Sequence, residues 1–339
     1  MKFQKELLTI QPHEVIASIA DSIKAQVGGI LRKRGVVVAV SGGVDSAVCA
    51  ALCAQALGKD RVLALMLPEK TSSPDSLSLG KLLVDFLGVP SLVQDITSIL
   101  EAAGCYRFQS EALRSIVPDY DDAWKYKIVI PSILEADRLN IPRLVFETPS
   151  GETKSVRMSS SAYQQIIAAT NFKQRTRRMV EYFHADRLNY AVCGTPNRLE
   201  YDQGFFVKLG DGSADFKPIA HLYKTQVYML AEALGLPVEI RSKAPTTDTF
   251  SLAQTQEEFY FSLPYGTMDI CLFAYNHNFP AEAITEVTGL SKEQVARVYR
   301  DIESKRRATL PLHLPPLLAQ DVPEITLLKQ SIISHQRLP

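Results

Sequence analysis

The sequence predicts an α/β protein built around a doubly wound parallel sheet. Three short apolar segments, at 36–40 (VVVAV), 62–68 (VLALMLP) and 92–96 (LVQDI), are bounded by turn residues and are typical of buried strands. Stretches with helical spacing of apolar residues separate them. Because strands that alternate with helices pair in parallel, we expect helices on both faces and ligands at the carboxyl ends of the strands.

The helices of this first half have recognisable ends. Residues 13–33 form an amphipathic stretch that closes near a pair of glycines. Residues 44–57 carry small and apolar side chains at i, i+3 and i+4, which predicts a helix directly after the first strand. Residues 75–87 predict another helix, ended by Gly88.

The alternation breaks between about residues 105 and 157. Two segments there, KYKIVIP from Lys125 and RLVFETPSGETKSVRM from Arg143, are typical of strands, and the second folds back at Pro149-Ser-Gly151. We interpret this stretch as an inserted, β-containing lobe or flap.

Regular α/β order resumes after the lobe. The pattern Ser161-x-x-Gln164 resembles a capping box that opens a long helix. NYAVCGT at 189–195 predicts a fourth strand, and residues 224–234 predict a further helix. Beyond Pro245 the chain is predicted to be mostly helical. We therefore expect one α/β domain over 1–310 and a Pro-rich tail over 311–339.

Composition narrows the function classes. Lys plus Arg and Asp plus Glu are equal at 37 each, so no global field favours nucleic acid. We find no apolar run near 18 residues and no secretory signal at the amino terminus, so no membrane partner is expected. The five cysteines are scattered, which argues against a disulfide framework and favours a cytoplasmic location.

The turn SGGVDS after the first strand indicates an anion site. Backbone N–H groups at a helix start lack internal partners, and Gly42 and Gly43 allow an anion to approach them closely. Ser41 and Ser46 add hydroxyl groups. A carboxylate would repel a bare phosphate, so we expect Asp45 to hold a bridging metal ion. The Walker A and dinucleotide-binding glycine patterns are both absent.

A second polar segment follows the fourth strand and should lie at the same edge of the sheet. Glu200 is placed to share a metal ion with Asp45, since hard oxygen ligands suit Mg²⁺. The turn Gly210-Asp-Gly212 is placed to expose Asp215. A solvated loop is the alternative interpretation of this segment.

Several motifs occur together and in order, and they carry a family resemblance. They are SGGVDSA, NFKQRTR, GT with a Glu five residues after the Thr, FFVKLGDGSAD, KTQVYMLA and KAPT. SGGVDS resembles the pyrophosphate loop of ATP pyrophosphatases, and the whole set resembles the NAD synthetase family over roughly 15–100 and 160–310. The resemblance implies an adenine nucleotide alpha hydrolase-like fold and a homodimer.

The resemblance also implies residue roles. Asp45 and Lys224 are the expected catalytic residues, and Asp45 and Glu200 the expected ligands of Mg²⁺. The residues expected to contact ATP are Ser41, Gly42, Gly43, Val44, Asp45, Ser46, Thr195, Lys224 and Thr246. The residues expected to contact the dinucleotide substrate are Arg175, Lys208, Asp215 and Lys305.

The implied reaction is the amidation of deamido-NAD through an acyl-adenylate, with ATP as co-substrate and AMP and pyrophosphate as products. Larger relatives carry an upstream glutaminase domain for which this chain has no room, so we expect free ammonia or a separate donor protein. Two features of this chain depart from the family pattern: Ser304 stands where the family has a His, and the stretch from about 105 to 157 is extra. A paralogue that amidates a different small carboxylic acid is therefore the alternative.

Two further interpretations stay open. Residues 280–307 resemble a helix-turn-helix with Gly289 at its turn, which would suit a nucleotide-sensing DNA-binding regulator. The aromatic segment 246–265 is either a helix packed on the core, a flap over the adenylate, or a dimer contact. The run from Arg175 to Arg178 is either a solvated helix face or, as we favour for Arg175, a contact to substrate phosphates.

Overall fold

The structure is a computed structural model that describes residues 3–130, 142–245, 250–252, 254–255 and 257–327. Its strands are β1 (Val36–Ala39), β2 (Val62–Met66), β3 (Ser91–Val93), β4 (Lys125–Val129), β5 (Arg143–Glu147), β6 (Thr153–Arg157) and β7 (Ala191–Cys193). Strands β3, β2, β1 and β7 form one sheet in that order, and every pair in it is parallel. The predicted parallel sheet and its four strands are confirmed.

Helices account for most of the rest. The α-helices are α1 (Pro12–Lys24), α2 (Val44–Leu57), α3 (Pro74–Leu87), α4 (Thr97–Ala102), α5 (Cys105–Arg114), α6 (Ser160–Leu188), α7 (Arg198–Gln203), α8 (Lys224–Ala233), α9 (Val238–Ser242), α10 (Tyr265–Asn276), α11 (Thr285–Thr288) and α12 (Lys292–His313). Shorter 3-10 turns lie at Lys5–Leu8, Lys59–Arg61 and Ala281–Ile284, and π turns at Ala25–Ile30 and Glu257–Phe261. Among the helices of these ranges, none is long and apolar enough to cross a membrane.

The parallel sheet is buried on both faces. Val36 and Val38 of β1 pack with α1, α2 and α8, whereas Val37 points to the opposite face, where it packs with residues of α4 and α6. All three valines are fully buried. This alternation follows from the two-residue period of a strand, and it produces the doubly wound arrangement.

The carboxyl edge of the sheet is shaped by a tight turn between β1 and α2. Gly42 has a φ of 76°, a conformation that side chains rarely adopt. A Cβ added there would lie 2.7 Å from the carbonyl oxygen of Ser76. Only glycine therefore allows the turn to pack against α3.

The inserted lobe is a separate antiparallel sheet in the order β4-β5-β6. Its hairpin turns at Gly151, which has a φ of 83°. Ile128, Leu144 and Phe146 form its core together with Ile166 of α6. The predicted strands and turn are confirmed, and α5, which packs between the lobe and α6, was not foreseen.

Strand β4 is an edge strand, and a distant segment lies along it. The Leu252 N–H donates to the Tyr126 carbonyl at 3.0 Å, and the Tyr126 N–H donates to the Ser251 hydroxyl at 2.9 Å. The Gln254 side-chain amide donates to the Ile128 carbonyl. The lobe therefore holds part of the aromatic segment predicted at 246–265.

Some predicted boundaries were wrong. The cap of α6 is Ser159, whose hydroxyl accepts from the Ala162 N–H at 3.2 Å, and not Ser161. Helix α12 continues to His313, three residues into the tail expected over 311–339. The capping box at Ser291 is confirmed, but α11, the first helix of the supposed helix-turn-helix, spans one turn only.

Candidate active site

A cavity of about 500 Å³ opens at the carboxyl edge of the parallel sheet. Its walls are the β1–α2 turn, the end of β2, one face of α6, the β7–α7 connection and the start of α8. The polar residues that line it are Ser41, Asp45, Ser46, Ser72, Ser73, Ser76, Thr170, Asn171, Gln174, Arg177, Arg178, Glu181, Thr195, Glu200, Asp211, Lys224 and Lys243.

The β1–α2 turn has the geometry of an anion cradle. The Ser46 hydroxyl accepts from the Ser41 N–H at 3.3 Å and donates to the Gly43 carbonyl at 2.9 Å, which fixes the turn before any ligand arrives. Gly43 is the N-cap of α2 and offers no side chain to the first N–H groups of the helix. Those groups, together with the positive end of a 14-residue helix, favour a bound phosphate.

Asp45 lies in the first turn of α2 and is tied to two other elements. Its carboxylate forms an ion pair with the ammonium group of Lys224, the first residue of α8. Its other oxygen accepts from the Asn197 amide at 3.2 Å. The Lys224 side chain is only 1% exposed, so this ion pair is largely removed from water.

Glu200 lies in the first turn of α7 and belongs to a complete capping box. The Asn197 N–H donates to the Glu200 carboxylate at 3.0 Å, and the Asn197 side-chain oxygen accepts from the Glu200 N–H at 3.2 Å. Burial, together with the nearby charge of Asp45, raises the pKa of Glu200 to about 8. Sequence reasoning missed Asn197, although the spacing Asn-x-x-Glu before a helix signals such a box.

The two carboxylates fit a divalent cation. Burial alone would lower the pKa of Lys224, but Asp45 and Glu200 together raise it, because one ammonium group faces two acids. Burial is the main cause of the raised pKa of Glu200 and the Asp45 charge adds to it, so a further positive charge beside the two carboxylates would be favourable. Across the part of the chain that the structure describes, no three His, Cys, Asp or Glu residues form a metal site. A cation held by Asp45 and Glu200 would therefore take its remaining ligands from phosphate or water, as Mg²⁺ commonly does.

Helix α6 presents one face to the cavity over five turns. The residues of this face recur at intervals of three and four, as helix geometry requires. They are Tyr163, Ile167, Thr170, Asn171, Gln174, Arg177, Arg178 and Glu181. The Arg177 guanidinium donates to the Leu67 carbonyl at 3.2 Å, and that of Arg178 donates to the Gly210 carbonyl at 3.0 Å.

Comparison with known proteins agrees with this geometry. The model of the NAD synthase family matches residues 15–117 and 136–309. The chain belongs to the NAD synthase family.

Relatives of high identity cover nearly the whole chain. The NH3-dependent NAD+ synthetase of Mesorhizobium japonicum is 55% identical over 318 residues, which are 94% of this chain and 100% of the relative. The enzyme of the same name from Rhizobium meliloti is 53% identical over 323 residues, 95% of this chain and 96% of the relative. That of Thermotoga maritima is 37% identical over 279 residues, 82% of this chain and 92% of the relative.

Solved structures show the same fold. An NMN synthetase from Francisella tularensis superposes with a TM-score of 0.63 at 21% identity, over 92% of this chain and 100% of that one. An NH3-dependent NAD synthetase from Campylobacter jejuni superposes with a TM-score of 0.60 at 22% identity and the same coverage. The α/β fold predicted from the sequence is therefore that of the NAD synthase family.

The residues predicted from the family resemblance fall into two spatial groups. Those that line the cavity are Ser41, Gly43, Val44, Asp45, Ser46, Thr195, Glu200 and Lys224. Gly42 shapes the turn behind them. Those that lie outside the cavity wall are Arg175, Lys208, Asp215 and Lys305. Thr246 lies outside the described residues, although its neighbours Lys243, Ala244 and Pro245 line the cavity.

The outer group has its own contacts. Arg175 donates to the Lys208 carbonyl at 3.2 Å, and Lys208 donates to the Pro311 carbonyl at 2.8 Å. The Asp215 carboxylate accepts from the Val192 N–H at 2.7 Å, within β7 and away from its carboxyl end. Lys305 lies closer, because its ammonium group donates at 2.7 Å to the carbonyl of Tyr260, a cavity residue.

Sequence reasoning also missed a buried ion pair beside the cavity. Glu69 follows β2 and pairs with Lys173 of α6 at 3.0 Å, and their side chains are 0% and 2% exposed. The Tyr106 hydroxyl donates to the same carboxylate at 2.7 Å. The Lys173 charge and these hydrogen bonds outweigh burial, so the pKa of Glu69 is lowered. The pair fixes the loop that carries Ser72 to α6.

Proposed function

We propose that this chain is a ligase that amidates deamido-NAD with ammonia, with ATP as co-substrate and AMP and pyrophosphate as products. One observation carries the proposal: a helix-start anion cradle, a buried lysine and two carboxylates meet in one cavity, at the strand ends where this fold binds ligands. The 55% identical relative named NH3-dependent NAD+ synthetase supports the choice of substrates.

The reaction activates a carboxylate that is otherwise a poor acyl donor. The substrate carboxylate attacks the α-phosphorus of ATP, the bond to the β-phosphate oxygen breaks, and pyrophosphate leaves. Ammonia then attacks the acyl carbon, AMP leaves with the bonding electron pair, and the nitrogen gives up a proton to form the amide. No covalent bond to the protein is needed, so the chain contributes binding, orientation and charge stabilisation.

The residues of the cavity have distinct parts in this reaction. The N–H groups at the start of α2 would hold the departing pyrophosphate, with Ser41 and Ser46 framing the turn. The Lys224 ammonium lies within ion-pair contact of Asp45 and is placed to neutralise charge on the phosphates. Arg177 and Arg178 line the same cavity and add positive charge along α6.

Asp45 and Glu200 are the residues that would hold Mg²⁺. The cation would supply further neutralisation of the triphosphate, which is the chemistry it commonly provides at such sites. In the absence of ligands, Lys224 neutralises Asp45.

We also propose a homodimer. Phe172, Met179 and Phe183 are 36%, 56% and 62% exposed and recur along α6 on the face opposite to the cavity. An apolar stripe of this kind on a solvent-facing helix is typical of an interface. Arg175 lies next to the stripe on α6, and it contacts Lys208. A second subunit on this face would explain why Arg175 and Lys208, two of the predicted substrate residues, lie outside the cavity of one chain.

The same reasoning extends to organisation and location. We infer one α/β domain over 1–310 with the lobe inserted in it, and its last helix, α12, runs three residues into the tail proposed for 311–339. All five cysteines of the sequence are buried free thiols, which fits a reducing cytoplasm. Nucleic acid and membrane are not partners in this proposal.

One assay tests the function. The protein is incubated with ATP, Mg²⁺ and ammonium, and AMP and amide are quantified with deamido-NAD, nicotinic acid mononucleotide or simple aromatic carboxylates as substrate. We expect AMP and amide in equal amounts with deamido-NAD. AMP formed only with another carboxylate would establish the paralogue instead, and amide made only when an amidotransferase is added would identify a partner as nitrogen source.

A further inference from the structure

Helix α8, which begins with Lys224, takes the acceptor for its first N–H groups from another helix. Its N-cap, Tyr223, has its hydroxyl 3.5 Å from the Asn276 amide, and its side chain makes no cap hydrogen bond. The Asp269 carboxylate of α10 accepts from the Lys224 N–H at 3.2 Å and from the Thr225 N–H at 2.7 Å. A residue 45 positions along the chain therefore does what a polar N-cap ordinarily does.

Asp269 has no access to water, and its side chain is 0% exposed. A buried carboxylate is unfavourable unless hydrogen bonds and positive charge compensate. The two N–H groups and the positive end of α8 provide that compensation. Burial raises the pKa of Asp269 to about 6, and the hydrogen bonds from α8 limit the rise, so the group is a carboxylate at neutral pH.

Helix α10 faces Lys224 at a second point. Tyr265 lies one turn before Asp269, and its ring centroid is 5.3 Å from the Lys224 ammonium. The ring of Tyr228 lies 5.9 Å from the same group. Asp269 thus holds the backbone of Lys224, and two aromatic rings flank its ammonium group. These contacts and the ion pair with Asp45 restrict the conformations that the side chain can adopt.

We propose that Asp269 is the positioning residue of Lys224. By holding the first two N–H groups of α8, it fixes the point from which the ammonium group reaches Asp45 and the phosphates of ATP. The inference rests on the proposed function, since Lys224 matters here through its contact with ATP.

The test compares Asp269→Asn with Asp269→Ala. Asparagine keeps one acceptor oxygen for α8, whereas alanine keeps none. For pyrophosphate release, we expect kcat to fall about tenfold in the first variant and about a hundredfold in the second, as for loss of one charge-stabilising donor. The KM for deamido-NAD should change less than about twofold, since Asp269 acts through Lys224 and not on the substrate.

A double variant separates positioning from simple destabilisation. If Asp269 acts through Lys224, then Asp269→Ala should slow the Lys224→Ala enzyme no further, because the two losses are not additive. Ser291→Ala is the control for loss of a helix cap, since it removes the cap of α12, a helix start remote from the cavity. It should leave kcat unchanged while melting temperature falls.

Two readouts keep the outcomes distinct. If the wild type makes no AMP with deamido-NAD, the proposed function fails, and binding of a nonhydrolysable ATP analogue measured by calorimetry then tests Asp269. If Asp269→Ala weakens binding of the analogue in the wild-type background but not in the Lys224→Ala background, the result supports a positioning role for Asp269. Unchanged kcat and unchanged analogue affinity, or a further loss in the double variant, would overturn it.

Discussion

The edge of the parallel sheet that lines the cavity and the inserted lobe are stabilised by different kinds of interaction. At the edge, polar groups from four separate elements meet, three of them buried and Asp45 partly buried: Asp45, Asn197, Lys224 and Asp269. The lobe depends on apolar packing, strand pairing and rings such as Trp124 stacked on Phe146. Directional bonds between buried charges tolerate little displacement, whereas apolar packing accommodates substitution more easily.

The family model leaves a shorter stretch unmatched than the 105–157 that the sequence led us to expect, because residues 105–117 and 136–157, which include β5 and β6, fall inside it. The family model covers the edge and leaves residues 118–135 unmatched, and that stretch contains β4 and the cavity residue Ile130. The edge is therefore expected to be intolerant of change, and the lobe to adjust the cavity without performing the chemistry. The following substitutions test that difference.

The largest effect is expected from Asp45→Asn. The change removes one of the two carboxylates proposed to hold Mg²⁺ and also the partner of Lys224, so pyrophosphate release should fall by about a hundredfold or more. The fold should persist, because Glu200 stays near Lys224 to balance its buried charge. Near-normal pyrophosphate release, measured with circular dichroism as the check of folding, would contradict the metal role.

A smaller loss is expected from Asn197, which serves both as the cap of α7 and as the donor to Asp45. Asn197→Ala removes both functions and should lower stability by about 1–2 kcal/mol. Asn197→Asp keeps the acceptor that caps α7 but turns the contact with Asp45 into repulsion. We expect the aspartate variant to retain more stability than the alanine variant and to require less Mg²⁺ for half-maximal rate, because a third carboxylate beside Asp45 attracts the cation that relieves the repulsion. Equal Mg²⁺ requirements in the wild type and both variants would show that Asn197 is only a cap.

These residues also show how far the sequence alone could reach. The turn at Ser41–Ser46 was predictable because strand, glycine pair and helix follow each other directly, and each has a local signature. The role of Asp269 was not predictable, because it is a lone acid in an apolar helix and its partner lies 45 residues away in the sequence. The rotation of α6 about its axis decides which of the arginines between 175 and 178 face the cavity. That rotation is determined by the packing of α6 against the sheet and the lobe.

A third test concerns Glu181, which lines the cavity and pairs with Arg178 at 2.7 Å. Burial raises the pKa of Glu181 from 4.5 to about 7, although Arg178 and Arg177 oppose the rise, with Cys193 and Asp211 adding to it. The folded state therefore binds a proton that the unfolded state releases between pH 4.5 and about 7. The contribution of Glu181 to the free energy of unfolding is therefore fully present below pH 4.5 and is lost as the pH rises to about 7.

The expected loss across the window is on the order of 2–4 kcal/mol. Chemical denaturation at a series of pH values measures it. In Glu181→Gln the slope of unfolding free energy against pH should flatten over the same window, even though the variant is less stable at every pH. An unchanged slope would mean that the Arg178 pair keeps Glu181 ionised throughout.

The smallest effect is expected where the lobe contacts the segment beside the cavity. Ser251→Ala removes the acceptor of the buried Tyr126 N–H on the outer side of β4, which should cost about 1–3 kcal/mol of stability and little activity. If the lobe only adjusts the cavity, the KM for ATP should rise by up to about fivefold while kcat stays nearly constant. Ser155→Ala is the matched control, since Ser155 bonds Arg143 on the far strands of the same lobe and should alter neither constant. A tenfold fall of kcat in Ser251→Ala alone would place the lobe within the catalytic assembly, and the contrast between the two regions would no longer hold.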